Sequence, residues 1–230
     1  MINKSAKKWL VDSIELFDGL TSDRKIALQS IFKENQYSKN DYLFRNGDSI
    51  DEVFFIKNGR VKIIKHSDSE KESIKRILND GDYYGEYAAI DPSMFANHND
   101  SAKVMDKNTI VLSIPTKDFK NICDANQEVY QKVIKNMLTN YRRLDNRLES
   151  VMLKKSKHRI IDFIKEMAED IGKPVGYEML IKHNLTHQEI ANLTGISRQK
   201  VTTILNEFKQ AGLIHLERNS ILVHDAKLLA

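Results

Sequence analysis

The residues best equipped to recognise another molecule lie in one stretch, Leu185-Thr-His-Gln-Glu-Ile-Ala-Asn-Leu-Thr-Gly-Ile-Ser-Arg-Gln-Lys-Val-Thr-Thr-Ile-Leu-Asn-Glu-Phe208. Thr186 followed by Glu189 is a capping box, which satisfies the first free N–H groups of a short helix. Ala191 is small where two helices must approach, Gly195 permits a left-handed turn, and Ser197 caps a second helix. On that second helix Val201, Ile204, Leu205 and Phe208 share one side, whereas Arg198, Gln199, Thr202, Thr203 and Asn206 share the other. Arg, Gln, Thr and Asn supply the donors and acceptors that read base edges in a DNA major groove. An ordinary solvated helix face would more commonly carry Glu and Lys. Arg198, Gln199, Thr202 and Thr203 are therefore the candidate base-reading residues.

Two short apolar runs around Arg218-Asn-Ser220, within Leu213–Val223, predict a hairpin beside this helix pair, the wing of a winged helix. Arg218 at its tip is placed either to touch phosphate or to stay solvated.

The rest of the chain must position these helices. Residues 1–35 read as helical, with Leu20, Ala27, Leu28, Ile31 and Phe32 at helical spacing and Thr21 and Ser22 as caps. Residues 37–116 change character: Val53–Ile56, Val61–Ile64 and Thr109–Ile114 are β-rich runs separated by Asn46-Gly, Asn58-Gly and Asp80-Gly turns. Such spacing predicts a small antiparallel barrel or roll. From about Asp118 the period turns helical. Ile134, Met137, Tyr141, Leu144, Leu148 and Val151 step by threes and fours, the spacing of a coiled-coil seam. A helix from roughly Gln127 to Leu153 either packs along its own roll or pairs with a second copy; Arg142, Arg143, Asn146, Arg147 and Glu149 on the opposite face favour the pairing. The basic run Lys154–Arg159 marks a hinge, followed by a helix over about His158–Ile171 that Gly172-Lys-Pro-Val-Gly176 ends.

Composition narrows the class. The 230 residues are 41% hydrophobic and 30% charged, ample for a folded core. The single Cys123 excludes an internal disulfide and a multi-cysteine zinc or iron–sulfur site. No stretch reaches the ~20 apolar residues of a membrane span, and the basic N-terminus lacks the apolar run of a secretory signal; a cytoplasmic protein with no membrane partner is expected. A net charge of +4 tolerates a polyanionic partner without demanding one.

Taken together, Phe55-Ile-Lys-Asn-Gly-Arg-Val61, Asp80-Gly-Asp-Tyr-Tyr-Gly-Glu86 and Leu185–Ile214 with its Ile196-Ser-Arg-Gln-Lys-Val201 core resemble the cyclic-AMP receptor / fumarate-nitrate-reduction regulator (CRP/FNR) family along almost the whole chain. The resemblance implies an α+β chain: a cyclic-nucleotide-binding-like β-roll with flanking helices (1–125), a dimerisation helix and hinge (126–155) and a winged helix-turn-helix (156–230). It implies a homodimeric transcription regulator on palindromic double-stranded DNA, with RNA polymerase as a further partner. Residues 169–179 lie where family activators carry a polymerase-touching loop. Arg198 takes the arginine's place on guanine. Gln199 stands for the family glutamate and Thr203 for an arginine, so the half-site is expected to differ at those positions. Thr186, Ser197 and Lys200 are candidate phosphate contacts.

The effector pocket departs from the family further. Gly85 and Glu86 match the Gly-Glu that holds a cyclic nucleotide's ribose. Asp100-Ser101 stands where the phosphate-binding arginine would be, after a longer loop (Asp91–Asp100), and Leu144 and Asp145 differ from the adenine-facing positions. A carboxylate repels a phosphodiester where arginine would bind it, so cyclic AMP is not expected and the effector is left open. Heme ligation by His66, His98 or Cys123 is one alternative input. A cupin-like metal enzyme is the other class, but His66 and His98 do not form its His-x-His pair, and no GxSxG, P-loop or HExxH is present. No metal, cofactor or catalytic residue is predicted.

Overall fold

The computed structural model describes residues 14–66 and 72–224. Contacts divide the chain into two units, with the division between Tyr141 and Arg142. Among the described residues, no helix is long and apolar enough to cross a membrane.

The first unit holds α1 (Ser22–Ile31), β1 (Lys33–Tyr37), β2 (Tyr42–Phe44), β3 (Glu52–Asn58), β4 (Val61–His66), β5 (Glu72–Leu78), β6 (Tyr83–Tyr84), α2 (Glu86–Ile90), β7 (Ser101–Val104), β8 (Thr109–Pro115), α3 (Thr116–Ala125) and the first part of α4 (Gln127–Leu153). Its strands form two antiparallel sheets, ordered β1-β8-β3-β6 and β2-β7-β4-β5, which is the expected roll.

Strand alternation explains the layers. On β3, Val53 and Phe55 enter one core and Phe54 and Ile56 the other, as a period of two requires. The inner core between the sheets adds Phe44, Ile63, Leu78, Val104 and Val111. The outer core lies under helices, where Phe17, Leu28, Phe32, Phe119 and Cys123 meet Leu112 and Ile114. Both faces of β3 and β8 are thus buried, so their runs are nearly continuous in apolar residues.

The N-terminal reading needs correction in two places. Helix α1 stops at Ile31 and Lys33–Tyr37 is a strand paired with β8, so the helical stretch does not continue to residue 35. Thr21 occupies the N-cap without a side-chain capping bond, and Ala27 is exposed. The part of that reading that covers residues 1–13 lies outside the described residues.

The second unit holds the rest of α4, α5 (Ser156–Ile171), β9 (Gly172–Val175), β10 (Glu178–Lys182), α6 (His187–Thr194), α7 (Arg198–Gln210), β11 (Ile214–Glu217) and β12 (Ser220–Val223). Its sheet runs β11-β12-β10-β9. The predicted wing is present as β11 and β12, turned at Arg218-Asn219 with Asn219 at φ 69°. Helix α5 begins at Ser156 rather than His158. Gly172–Val175, read from sequence as a helix stop, is also an edge strand, where Pro174 costs no ladder bond.

Candidate nucleic-acid interface and effector site

The helix-turn-helix is built by local bonds. Thr186 Oγ1 accepts from Glu189 N–H at 3.2 Å while Thr186 N–H donates back to Glu189 Oε2 at 2.8 Å, completing the capping box. The Thr186 hydroxyl also donates to Glu189 Oε2 at 2.8 Å, so both of its donors serve the cap rather than a phosphate. Gly195 closes α6 in the left-handed region at φ 69°. Ser197 Oγ accepts from Lys200 N–H at 3.2 Å, leaving its own proton free to donate.

On α7, Val201, Ile204, Leu205 and Phe208 are all buried. Arg198, Gln199, Lys200, Thr203 and Asn206 are exposed and Thr202 is half-buried. The sequence periodicity therefore assigned the two faces correctly. Among the described residues, neither the Arg198 nor the Gln199 side chain has a hydrogen bond or ion pair. Both can be committed to a ligand without breaking an existing contact. The threonines differ: Thr202 Oγ1 donates to the Arg198 carbonyl at 3.1 Å and Thr203 Oγ1 to the Gln199 carbonyl at 3.0 Å. Arg218 is exposed at the wing tip.

Behind the interface, α4 is bound to α5. Ser150 Oγ donates to Asp162 Oδ2 at 2.6 Å, and Lys154 Nζ lies 2.9 Å from the same oxygen. Arg143 pairs with Asp170 two turns further along the helix pair. Burial raises the Glu166 carboxyl above its ordinary range, partly offset by the facing Arg147 charge.

The residues of the expected seam divide into two groups. Met137 packs on the outer core of the roll, beside Val129 and Val133, and Ile134 is half-buried. Tyr141, Leu144, Leu148 and Val151 are exposed, at 68%, 53%, 58% and 43%. The helix thus follows its own roll at first and then presents an uncovered apolar stripe. Packing along the roll thus describes the first part of α4, and the exposed stripe leaves the second part available for pairing. Asp145 is also exposed.

In the roll, Gly85 adopts φ 100°, and a Cβ there would sit 2.9 Å from the Glu52 carbonyl oxygen, so the turn into α2 requires glycine. Glu86 is buried and its Oε2 has no hydrogen-bond partner among the described residues. Burial pushes its pKa up to about 7, against the pull of its own and the Gly85 backbone N–H groups and the Arg76 charge. Asp100 is buried too, but not as a bare charge: Lys75 Nζ lies 2.6 Å from its Oδ1 and 2.9 Å from its Oδ2. Ser101 Oγ accepts from Asn46 N–H at 2.9 Å.

Lys75 was not legible as part of the site. It is the extra residue of a bulge, since Ile63 pairs with Arg76 and Ile64 with Ile74, and bulges re-aim side chains. His187, which bonds Thr202, was likewise missed; its place directly after the capping Thr186 was the only signal.

The candidate heme ligands lie in unlike settings. His66 is exposed at the end of β4. His98 is buried and stacked on Phe44, with centroids 3.5 Å apart. Cys123 belongs to the outer core, where burial raises its pKa to about 11. Among the described residues no group of three or more His, Cys, Asp or Glu is placed to hold a metal ion.

Comparison with known proteins agrees with this anatomy. A family model for a cyclic nucleotide-binding domain matches residues 34–126, and one for a Crp-like helix-turn-helix domain matches residues 158–230. A CRP-like cAMP-activated global transcriptional regulator of Mycobacterium tuberculosis is 25% identical over 215 residues, 94% of each chain. The Anaerobic regulatory protein of Bacillus subtilis is 24% identical over 208 residues, covering 90% of this chain and 86% of that one. Among solved structures, a mutant of CooA from Carboxydothermus hydrogenoformans superposes with TM-score 0.77 at 24% identity, covering 88% of each chain.

Proposed function

Because the chain belongs to the CRP/FNR family of transcription regulators, we propose that it acts in the cytoplasm as a homodimer that reads a palindromic DNA site. The functional division proposed is a sensor roll at 1–125, a dimerisation helix and hinge at 126–155 and a DNA-binding head at 156–230. The observation that carries this reading is the exposed face of α7, where Arg198 and Gln199 stand without partners among the described residues, opposite a buried apolar face. Arg198 bonds guanine through O6 and N7, and Gln199 suits adenine because its amide both donates and accepts. Ser197 and Lys200, with Arg218 from the wing, meet phosphates. Thr186 meets them at most through its position at the start of α6. The exposed stripe of Tyr141, Leu144, Leu148 and Val151 pairs with its copy in a parallel seam. Two heads then sit about one DNA turn apart, roughly 34 Å. RNA polymerase is the expected protein partner, with residues 169–179 as its contact. That segment covers the end of α5 and the β9–β10 hairpin, where the Tyr177 side chain is fully exposed.

The roll biases a two-state hinge near Leu153–Ser156. Its effector is not cyclic AMP, because the buried Asp100 already uses the nearby Lys75 cation, and inserting a phosphodiester there would break that pair. Fluorescence anisotropy of the ligand-free protein on a palindrome selected from random duplexes, at fixed salt, tests the whole reading. Specific binding at about 10⁻⁸ M or tighter means the ligand-free dimer is competent. Specific binding that appears only when an effector is added means the roll gates the heads. Binding no tighter than to random DNA under every condition would sink the proposal.

A further inference from the structure

A bond between the two helices of the head bears on which bases it can read. His187 Nδ1 lies 2.8 Å from Thr202 Oγ1. That hydroxyl has one proton, already donated to the Arg198 carbonyl at 3.1 Å. With that proton on the carbonyl, the imidazole donates from Nδ1–H; with it directed to Nδ1 instead, it is equally committed, so in either tautomer it is spent inside the protein. Thr202 is held from both sides, by its own helix and by α6.

We propose that His187 is a specificity-determining positioning residue, locking Thr202 in a rotamer that offers DNA a methyl group and no hydrogen-bond donor. The inference rests on the reading of α7 as the recognition helix. In the major groove, guanine N7 and O6, adenine N7 and thymine O4 all require a donor, whereas the thymine methyl is met by apolar contact. Thr202, with its proton committed, is suited to the last of these. Thr203 is held less tightly. Its proton goes to the Gln199 carbonyl, and among the described residues no second helix bonds it. Arg198 and Gln199 thus supply the donors, and position 202 adds a preference for thymine.

The test is competition anisotropy on the full-length protein, using its selected palindrome with each half-site thymine replaced in turn by deoxyuridine. One replacement is expected to weaken wild-type binding about fourfold, the worth of one buried methyl. Thr202→Val, which keeps a methyl, retains that discrimination; Thr202→Ser, which keeps only the hydroxyl, loses it. His187→Ala flattens the preference at that base pair alone, and His187→Asn, which restores a donor, recovers it. Circular dichroism melting confirms that each variant is folded. A His187→Ala protein with an unchanged base profile, or with affinity lowered equally on every sequence, overturns the inference. A wild-type protein indifferent to all base changes instead sinks the underlying reading of α7.

Discussion

Lys75 on β5 and Asp100 just before β7 form a partly buried ion pair within one sheet of the roll, with the ammonium within 2.9 Å of both carboxylate oxygens. The lysine side chain keeps 42% exposure while the aspartate keeps 10%. The pair places a fixed, internally neutralised charge where a cyclic-phosphate anchor is expected. Removing the lysine strands a carboxylate that has little water of its own. Lys75→Ala is therefore expected to destabilise the protein by about 1–2 kcal/mol, below the usual cost of breaking a fully buried pair because of the lysine's exposure. Urea unfolding checks this. Millimolar cyclic AMP is expected to leave the wild-type melting temperature unchanged, and a rise of several degrees would show that the ligand displaces the pair.

Two buried groups in the roll respond to pH in opposite senses. Glu86 has its folded pKa raised to about 7, so the folded state holds a proton that the unfolded state has released. Its contribution is present below the ordinary carboxylate range and is lost as pH rises through about 7. His98 has its pKa lowered to about 4, chiefly by burial and against the nearby charges of Asp48, Asp100 and Asp51. Its contribution is present above the ordinary imidazole value and is lost as pH falls through about 4. The two slopes oppose each other over much of the same window. Glu86→Gln is therefore expected to steepen the loss of stability on acidification and to raise stability at pH 8 by up to about 3 kcal/mol. His98→Gln is expected to expose the opposite slope. Urea titrations across pH 4–8 that gave parallel curves for both variants would contradict these assignments.

The uncovered stripe on α4 predicts the assembly state. In the proposed parallel seam, Leu144→Glu combined with Leu148→Glu places like charges face to face, and the variant is expected to sediment as a monomer where the wild type sediments as a dimer. The fold should survive, because both positions are more than half exposed. Val133→Glu should instead unfold the roll, since Val133 lies in its outer core.

Base and phosphate contacts separate by salt. Gln199→Ala is expected to cost about 1–3 kcal/mol on the preferred site and to relax discrimination at one base pair. Lys200→Ala should weaken binding equally on all sequences and reduce the slope of log K against log salt by about 1. Affinity measurements across a salt series distinguish the two. A Gln199→Ala protein that bound every sequence as before would argue against base readout.

The helix-turn-helix was legible residue by residue because its determinants are local. Thr186 and Glu189, Ser197 and Lys200, and the turn at Gly195 interact over three or four positions. One helix period then separates the buried and exposed faces of α7. The glycine-punctuated roll was legible for the same reason, as was the long helix α4. What the tertiary structure alone decided involves partners far apart in sequence or features a short pattern cannot carry. The bulge at Lys75 joins it to Asp100, 25 residues away, and so changes the expected bare carboxylate into an ion pair. His187 reaches Thr202, 15 residues on, only because the two helices cross. Strand β9 forms because β10 lies beside it, not because Gly172-Lys-Pro-Val has strand character of its own. Helix α4 changes burial along its length because the roll covers only its beginning, and a uniform apolar spacing holds no record of where that cover stops.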